Sequence, residues 1–124
     1  MIVKNEEQFI GQAIKSVKSV VDEIIVVDTG STDNTCHIAK RLGAKIIHYK
    51  WDKNQGRARD TYRMAANSKW ILVLDADEKI ANKDLPRLKK LTKNLNVLGY
   101  AMPVRNYTKT YDLLRDWHSN KGEY

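Results

Sequence analysis

Two rhythms of apolar positions alternate along this chain. Residues 6 to 21 place Phe9, Ile10, Ala13, Ile14, Val17 and Val21 at the spacing of one helix face. The run "EIIVVD" follows, continuous and β-branched, as a strand covered on both sides would be. "TGSTDNT" is a turn in which Ser31 or Thr32 is the expected helix cap. Thr35, Ile38, Ala39 and Leu42 then form a second helical stripe, and Gly43 supplies a stop. "AKIIHY" is the next expected strand. A third helix within "NQGRARDTYRMAANS" keeps Ala58, Tyr62, Ala65 and Ala66 on one side. "WILVLD" is expected to be an interior strand. Asp84 should cap a helix with Pro86 in its first turn and Leu85, Leu88, Leu91 and Leu95 as its stripe. "LGYAMPVRNY" reads as a final strand, with Pro103 placing it at an edge or bulge. With "MIV" as a short opening strand, strands and helices alternate throughout. That order predicts an α/β fold: an open, doubly wound, Rossmann-like, mostly parallel sheet with flanking helices.

Composition narrows the class. The 124 residues, 42% hydrophobic and 30% charged, suit one soluble globular domain with one core. No apolar run approaches the roughly 18 residues of a membrane helix, and "MIVKNEEQF" turns acidic too early for a signal peptide. A single cysteine, Cys36, forbids an internal disulfide and points to a reducing, cytoplasmic setting. It is expected near the core of a helix, and zinc ligation would need a cluster that the sequence does not display. The net charge of +7 suits an anionic partner: nucleotide phosphates, nucleic acid, or the inner face of an acidic membrane as a peripheral site. The basic segment Lys79 to Lys93 is read as a solvated helix face.

What sets the chain apart is the chemistry after its strands. "MIV" is followed by Lys4, Asn5, Glu6 and Glu7, "EIIVV" by Asp28, and "WILVL" by Asp75, Ala76 and Asp77. In an open parallel sheet, ligands sit beyond these carboxyl ends. One acidic strand end is weak evidence, because aspartate favours turns. Three of them crowd like charges, which is costly unless a cation sits among them. Mg²⁺ or Mn²⁺ fits, being bound by carboxylates together with substrate phosphates.

The blocks "MIVKNEE", "IIVVDTGSTDNT" and "WILVLDADE", in this order and spacing, resemble the nucleotide-binding half of a family 2 glycosyltransferase of GT-A fold. The resemblance spans about residues 1 to 105. It implies that residues 1–108 form a nucleotide-sugar-binding core, and that 109–124 are a tail or the start of an acceptor-side half. It also implies roles for individual residues. Val3, Asn5 and Glu6 would line the base and ribose. Asp28 would accept a hydrogen bond from the base. Arg59, within "ARD", would lie near the base or phosphates. Asp75 and Ala76 would meet the ribose. Asp77, with Asp75, would hold Mn²⁺ or Mg²⁺ at the diphosphate. The implied reaction is metal-dependent, inverting transfer of a sugar from a nucleoside diphosphate sugar, UDP-linked, to a glycan, lipid or protein acceptor.

Thr29 stands where many relatives carry a second acid, and Asp60 stands where "ARN" is usual. No acidic block after Tyr107 matches the family's catalytic base, which leaves Asp116 and Glu123 as candidates by default. The base is therefore expected in a segment beyond this chain, which reads as trimmed. Lys4 and Arg57 could add charge at the diphosphate. His48 ends a strand and reads as structural, and Trp51 and Trp70 read as packing residues. The rival class is a binding module that holds nucleotide and metal without turnover. A basic nucleic-acid binder is weaker, because no reader motif is present and the acidic edge would repel phosphate. No G-x-G-x-x-G or G-x-x-x-x-G-K-[ST] occurs, which rules against dinucleotide and P-loop sites.

Overall fold

The computed structural model describes residues 1–94 and 96–105. Three parallel strands form its sheet: β1 (Ile2–Val3), β2 (Ile25–Asp28) and β3 (Lys45–His48), in the order β1-β2-β3. The register sets Val3 beside Asp28 and Asp28 beside His48, so all three strands end at one edge. The helices are α1 (Ile10–Val17), α2 (Thr35–Arg41), α3 (Gln55–Ala65) and α4 (Leu85–Leu91).

Alternation along β2 divides the interior between the two sheet faces. Val26 faces α1 and α2 and joins Val3, Ile10, Ile14, Ala39, Ala44 and Ala76 in one cluster. Val27, also fully buried, lies outside that cluster and points to the other face, where α3 packs against β2. Each such aliphatic contributes about 1.5–3 kcal/mol by leaving water. Gly43, at φ 92°, ends α2 in the left-handed conformation and turns the chain into β3.

Several sequence expectations change. The first helix spans Ile10–Val17 rather than 6–21, because Glu6 C=O accepts from both the Phe9 and Ile10 amides and closes a turn before it. Phe9 is left 42% exposed, off the buried stripe. The second helix starts at Thr35, and neither Ser31 nor Thr32 caps it. Their hydroxyls bond to residue 5 instead.

"WILVLD" does not join the sheet. Among the described residues no backbone hydrogen bond ties residues 70–74 to a strand. Leu74 and Ala76 are buried while Ile71 and Val73 are exposed, so the run packs on one side only. An apolar run reports burial; pairing requires an aligned ladder as well.

Residues 98–105 also form no strand, with Leu98 and Val104 exposed. Residues 106 and 107 of that expected strand, like the whole 109–124 tail, lie outside the described residues. Asp84 stands at the cap of α4 with Pro86 following, but its side chain makes no cap bond. Leu85, Leu88 and Leu91 are half-buried rather than core, and Leu95 is not described.

Candidate functional site

Two loops beyond the strand ends hold each other in place. The loop after β1 and the loop after β2 exchange hydrogen bonds in both directions. The Asn5 amide donates to Ser31 Oγ (3.0 Å), and the Thr32 amide donates to Asn5 Oδ1 (2.8 Å). The Glu7 amide donates to Asp33 Oδ2 (3.1 Å), and the Asn34 amide donates to Glu7 Oε2 (3.0 Å). The Glu6 amide donates to Thr35 Oγ1. Much of the polar content of "KNEE" and "TGSTDNT" is therefore spent on this interlock. Asn5 pays for its part with φ 58°, a conformation that asparagine tolerates better than most residues.

A cleft of about 340 Å³ opens at this edge, lined by Ile2, Val3, Lys4, Glu6, Thr29, Trp51 and Gln55. Of the expected site residues, Val3 and Glu6 line it, while Asn5 and Asp28 do not. Asn5 shapes the wall by holding Thr32. Asp28 is buried and shares the sheet face of Val26, with Oδ1 accepting from the Ser31 amide (3.0 Å) and Oδ2 from the Gly30 amide (3.4 Å). Burial pushes its carboxyl up, but Ser31, His48 and the Gly30 amide outweigh that and hold it below the ordinary range. Thr29, one residue on, presents its side to the cleft, and its hydroxyl donates to Val3 C=O (3.0 Å).

Trp51 was expected to be a packing residue, yet it is 43% exposed and forms part of the wall. Gln55 carried no sequence signal at all. Position is what selects both: they lie just past β3 and at the start of α3. Trp70 does pack, stacked on Tyr100 at 5.5 Å.

The acidic segment runs beside β1 in the same direction. Asp75 lies within electrostatic reach of the Met1 amino group, Ala76 packs in the cluster containing Val3, and Asp77 reaches Glu6. Burial, then Asp77, then Asp33 push the Glu6 carboxyl above its ordinary value. That is the signature of carboxylates converging without a counter-charge. Asp75 and Asp77 are exposed, and the oxygen-only donor set is of the kind that holds Mg²⁺ or Mn²⁺. Glu78 does not open a helix. It accepts from the Asp75 amide (3.0 Å), while its own amide donates to Asp75 C=O (3.1 Å), closing the turn that presents Asp77.

Basic groups divide by partner. Arg57 pairs with Asp52 and Arg63 with Asp60, each at 2.8 Å. Arg59 makes no ion pair among the described residues, and it lies near Tyr62, which also feels Asp75.

On the sheet face that carries α2, His48 Nδ1 lies 3.2 Å from Asp28 Oδ2, and Cys36 joins them. The expectation that no metal-ligating cluster accompanies Cys36 is corrected here. Its members are 8 to 20 residues apart in sequence, and parallel pairing of β2 with β3 brings them together.

Comparison with known proteins agrees with this geometry. The family model described as Glycosyl transferase family 2 matches residues 1–122. An uncharacterized glycosyltransferase of Rickettsia typhi is 48% identical over 83 residues, 67% of this chain and 28% of that protein. The SPbeta prophage-derived glycosyltransferase SunS of Bacillus subtilis is 32% identical over 113 residues, 90% of this chain and 27% of the relative. The chain thus spans less than a third of the length of these curated relatives. Among solved structures, glucosyl-3-phosphoglycerate synthase from Mycobacterium tuberculosis in complex with uridine diphosphate aligns with a TM-score of 0.56 and 28% identity. It covers 62% of this chain and 32% of its own. The fold is therefore α/β of the GT-A type, and the chain belongs to glycosyl transferase family 2.

Proposed function

We propose that this chain is the donor-binding part of a glycosyltransferase that uses a nucleoside diphosphate sugar, with uridine as the nucleoside. The observation that carries the proposal is the approach of Asp77, with Asp75 two residues before it, to Glu6, which lines a cleft at the carboxyl ends of β1 and β2. The M. tuberculosis neighbour in complex with uridine diphosphate supports uridine. Val3, Lys4, Thr29 and Trp51 would surround the base and ribose, with Asn5 and Asp28 bracing that wall from behind. Uracil offers one N–H, and Thr29 Oγ1 has lone pairs free to accept it. Arg59 and Lys4 would add positive charge for the diphosphate.

Asp77, with Asp75, would hold Mn²⁺ or Mg²⁺. When bound, the cation neutralises charge developing on the diphosphate leaving group. Sugar transfer with inversion then needs a base to take a proton from an acceptor hydroxyl, on a glycan, lipid or protein. Asp116 and Glu123, the default candidates, lie outside the described residues. A module that binds nucleotide and metal without turnover is the second reading. Among the described residues no helix is long and apolar enough to cross a membrane. Peripheral association with an acidic bilayer rests on the charge of +7.

Calorimetry with uridine diphosphate tests the donor site. Binding should require Mn²⁺ or Mg²⁺ and lose its metal-dependent part in Asp77→Ala. Equal binding in EDTA would refute it. Donor hydrolysis by this chain, set against a longer protein, separates the two readings.

A further inference from the structure

We propose that Asp28, Cys36 and His48 form a site for a borderline-soft divalent transition metal, of the zinc or cobalt type, on the sheet face that carries α2. Each offers one ligand atom, and the three atoms lie within 4.8 Å of one another. The separation of Asp28 Oδ2 from His48 Nδ1, 3.2 Å, is close to the edge of a tetrahedron with metal bonds of about 2.0 Å, roughly 3.3 Å. Closing the cluster on an ion would draw the Cys36 sulfur and its partners to roughly 3.5 Å. The His48 side chain is 76% exposed and free to adjust, and Cys36 is carried on the first turn of α2.

Asp28 is already oriented. Its Oδ1 is fixed by the Ser31 amide, the kind of outer contact that holds a metal-binding carboxylate in place. A cavity of about 440 Å³, lined by Cys36, His37, Lys40, Ala44, Lys45, Ile46 and His48, opens directly onto the cluster. It admits the ion and leaves room for water as the fourth ligand.

The donor set decides the metal. Thiolate and imidazole select zinc or cobalt over Mg²⁺ and Mn²⁺, whereas Asp75 and Asp77 offer only oxygen. Only this cluster offers a thiolate, so a thiolate-bound ion reports it and not the oxygen donors of Asp75 and Asp77. A metal here would join β2, β3 and α2, and so brace the loop whose Thr29 faces the cleft. The inference rests on geometry alone and stands whether or not the glycosyl-transfer reading holds.

The test exploits the fact that Cys36 is the sole cysteine, so any thiolate-to-cobalt charge-transfer band belongs to it. Titration of the reduced, metal-free 124-residue chain with Co²⁺ should raise such a near-ultraviolet band, saturating at one equivalent, which Zn²⁺ then removes. Cys36→Ala should abolish the band, and His48→Ala should weaken Zn²⁺ binding on the order of tenfold or more. If Cys36→Ala does not fold, the wild-type spectrum and His48→Ala decide the matter. Absence of the band at stoichiometric Co²⁺, or equal Zn²⁺ affinity in wild type and His48→Ala, overturns the proposal.

Discussion

Glu6 and Thr35, 29 residues apart in sequence, are joined by one hydrogen bond: the Glu6 amide donates to Thr35 Oγ1 across 2.7 Å. Thr35 is fully buried, and its hydroxyl in turn donates to Asp33 Oδ1. The first residue of α2 thereby fixes the backbone of a cleft-lining glutamate. Thr35→Val keeps the shape and removes the hydroxyl, leaving the Glu6 amide without its acceptor. We expect a loss of about 1–3 kcal/mol in urea unfolding. Thr35→Ser should retain most of the stability, since it keeps the oxygen. Equal stability of Thr35→Val and wild type would show that water replaces the contact.

Asn5 tests the same interlock from the other loop. Its backbone at φ 58° favours Gly, while its Oδ1 serves the Thr32 amide. Asn5→Gly loses only the two bonds that Oδ1 accepts from the Thr32 amide and hydroxyl, whereas Asn5→Ala also takes on a strained backbone. Stability should rank wild type, then Gly, then Ala, with the last two separated by about 1 kcal/mol. Ala above Gly would mean that the loop relaxes out of the left-handed region.

The interlock should also be sensitive to acid. Burial pushes the Asp33 carboxyl up, but bonds from Thr35 and the Glu7 amide outweigh it and hold it below its ordinary 3.8. A carboxyl lowered in the folded state contributes stability that is present above its unfolded value. That contribution is lost as pH falls through the folded one. Unfolding midpoints of metal-free protein should therefore drop below about pH 4, and Asp33→Asn should flatten that limb. An unchanged acid limb in Asp33→Asn would remove Asp33 from the account.

These loops show what the sequence made legible. Apolar periodicity located α1, α2, α3, β2 and β3, because each buries a face whose spacing is local. The acidic strand ends and their shared edge followed from that order. Pairing was not legible: "WILVLD" has a strand's composition, yet Ile71 and Val73 remain exposed and no ladder forms. Nor was the facing of Asp28. A one-residue step along a strand reverses the side chain, so Thr29 rather than Asp28 reaches the cleft. His48 and Cys36 looked isolated because their meeting depends on strand register, which no local pattern encodes.

Trp51 gives the sharpest test of where the base sits. It is the sole aromatic among the residues lining the cleft, and it is 43% exposed, so its ring face is available to a ligand. More than half of the ring is covered, and Trp51→Ala should cost about 1–3 kcal/mol of stability, so binding is compared where both proteins remain folded. Stacking of a base on an aromatic face is worth about 1–3 kcal/mol when the ring is removed. Trp51→Ala should therefore weaken uridine diphosphate binding by roughly 5- to 150-fold, while Trp51→Phe keeps a stacking surface and most of the affinity. Metal dependence should persist in both variants, since Asp75 and Asp77 are untouched. Full affinity in Trp51→Ala would place the base against Lys4 and Thr29 alone, with the indole serving only to bound the cleft.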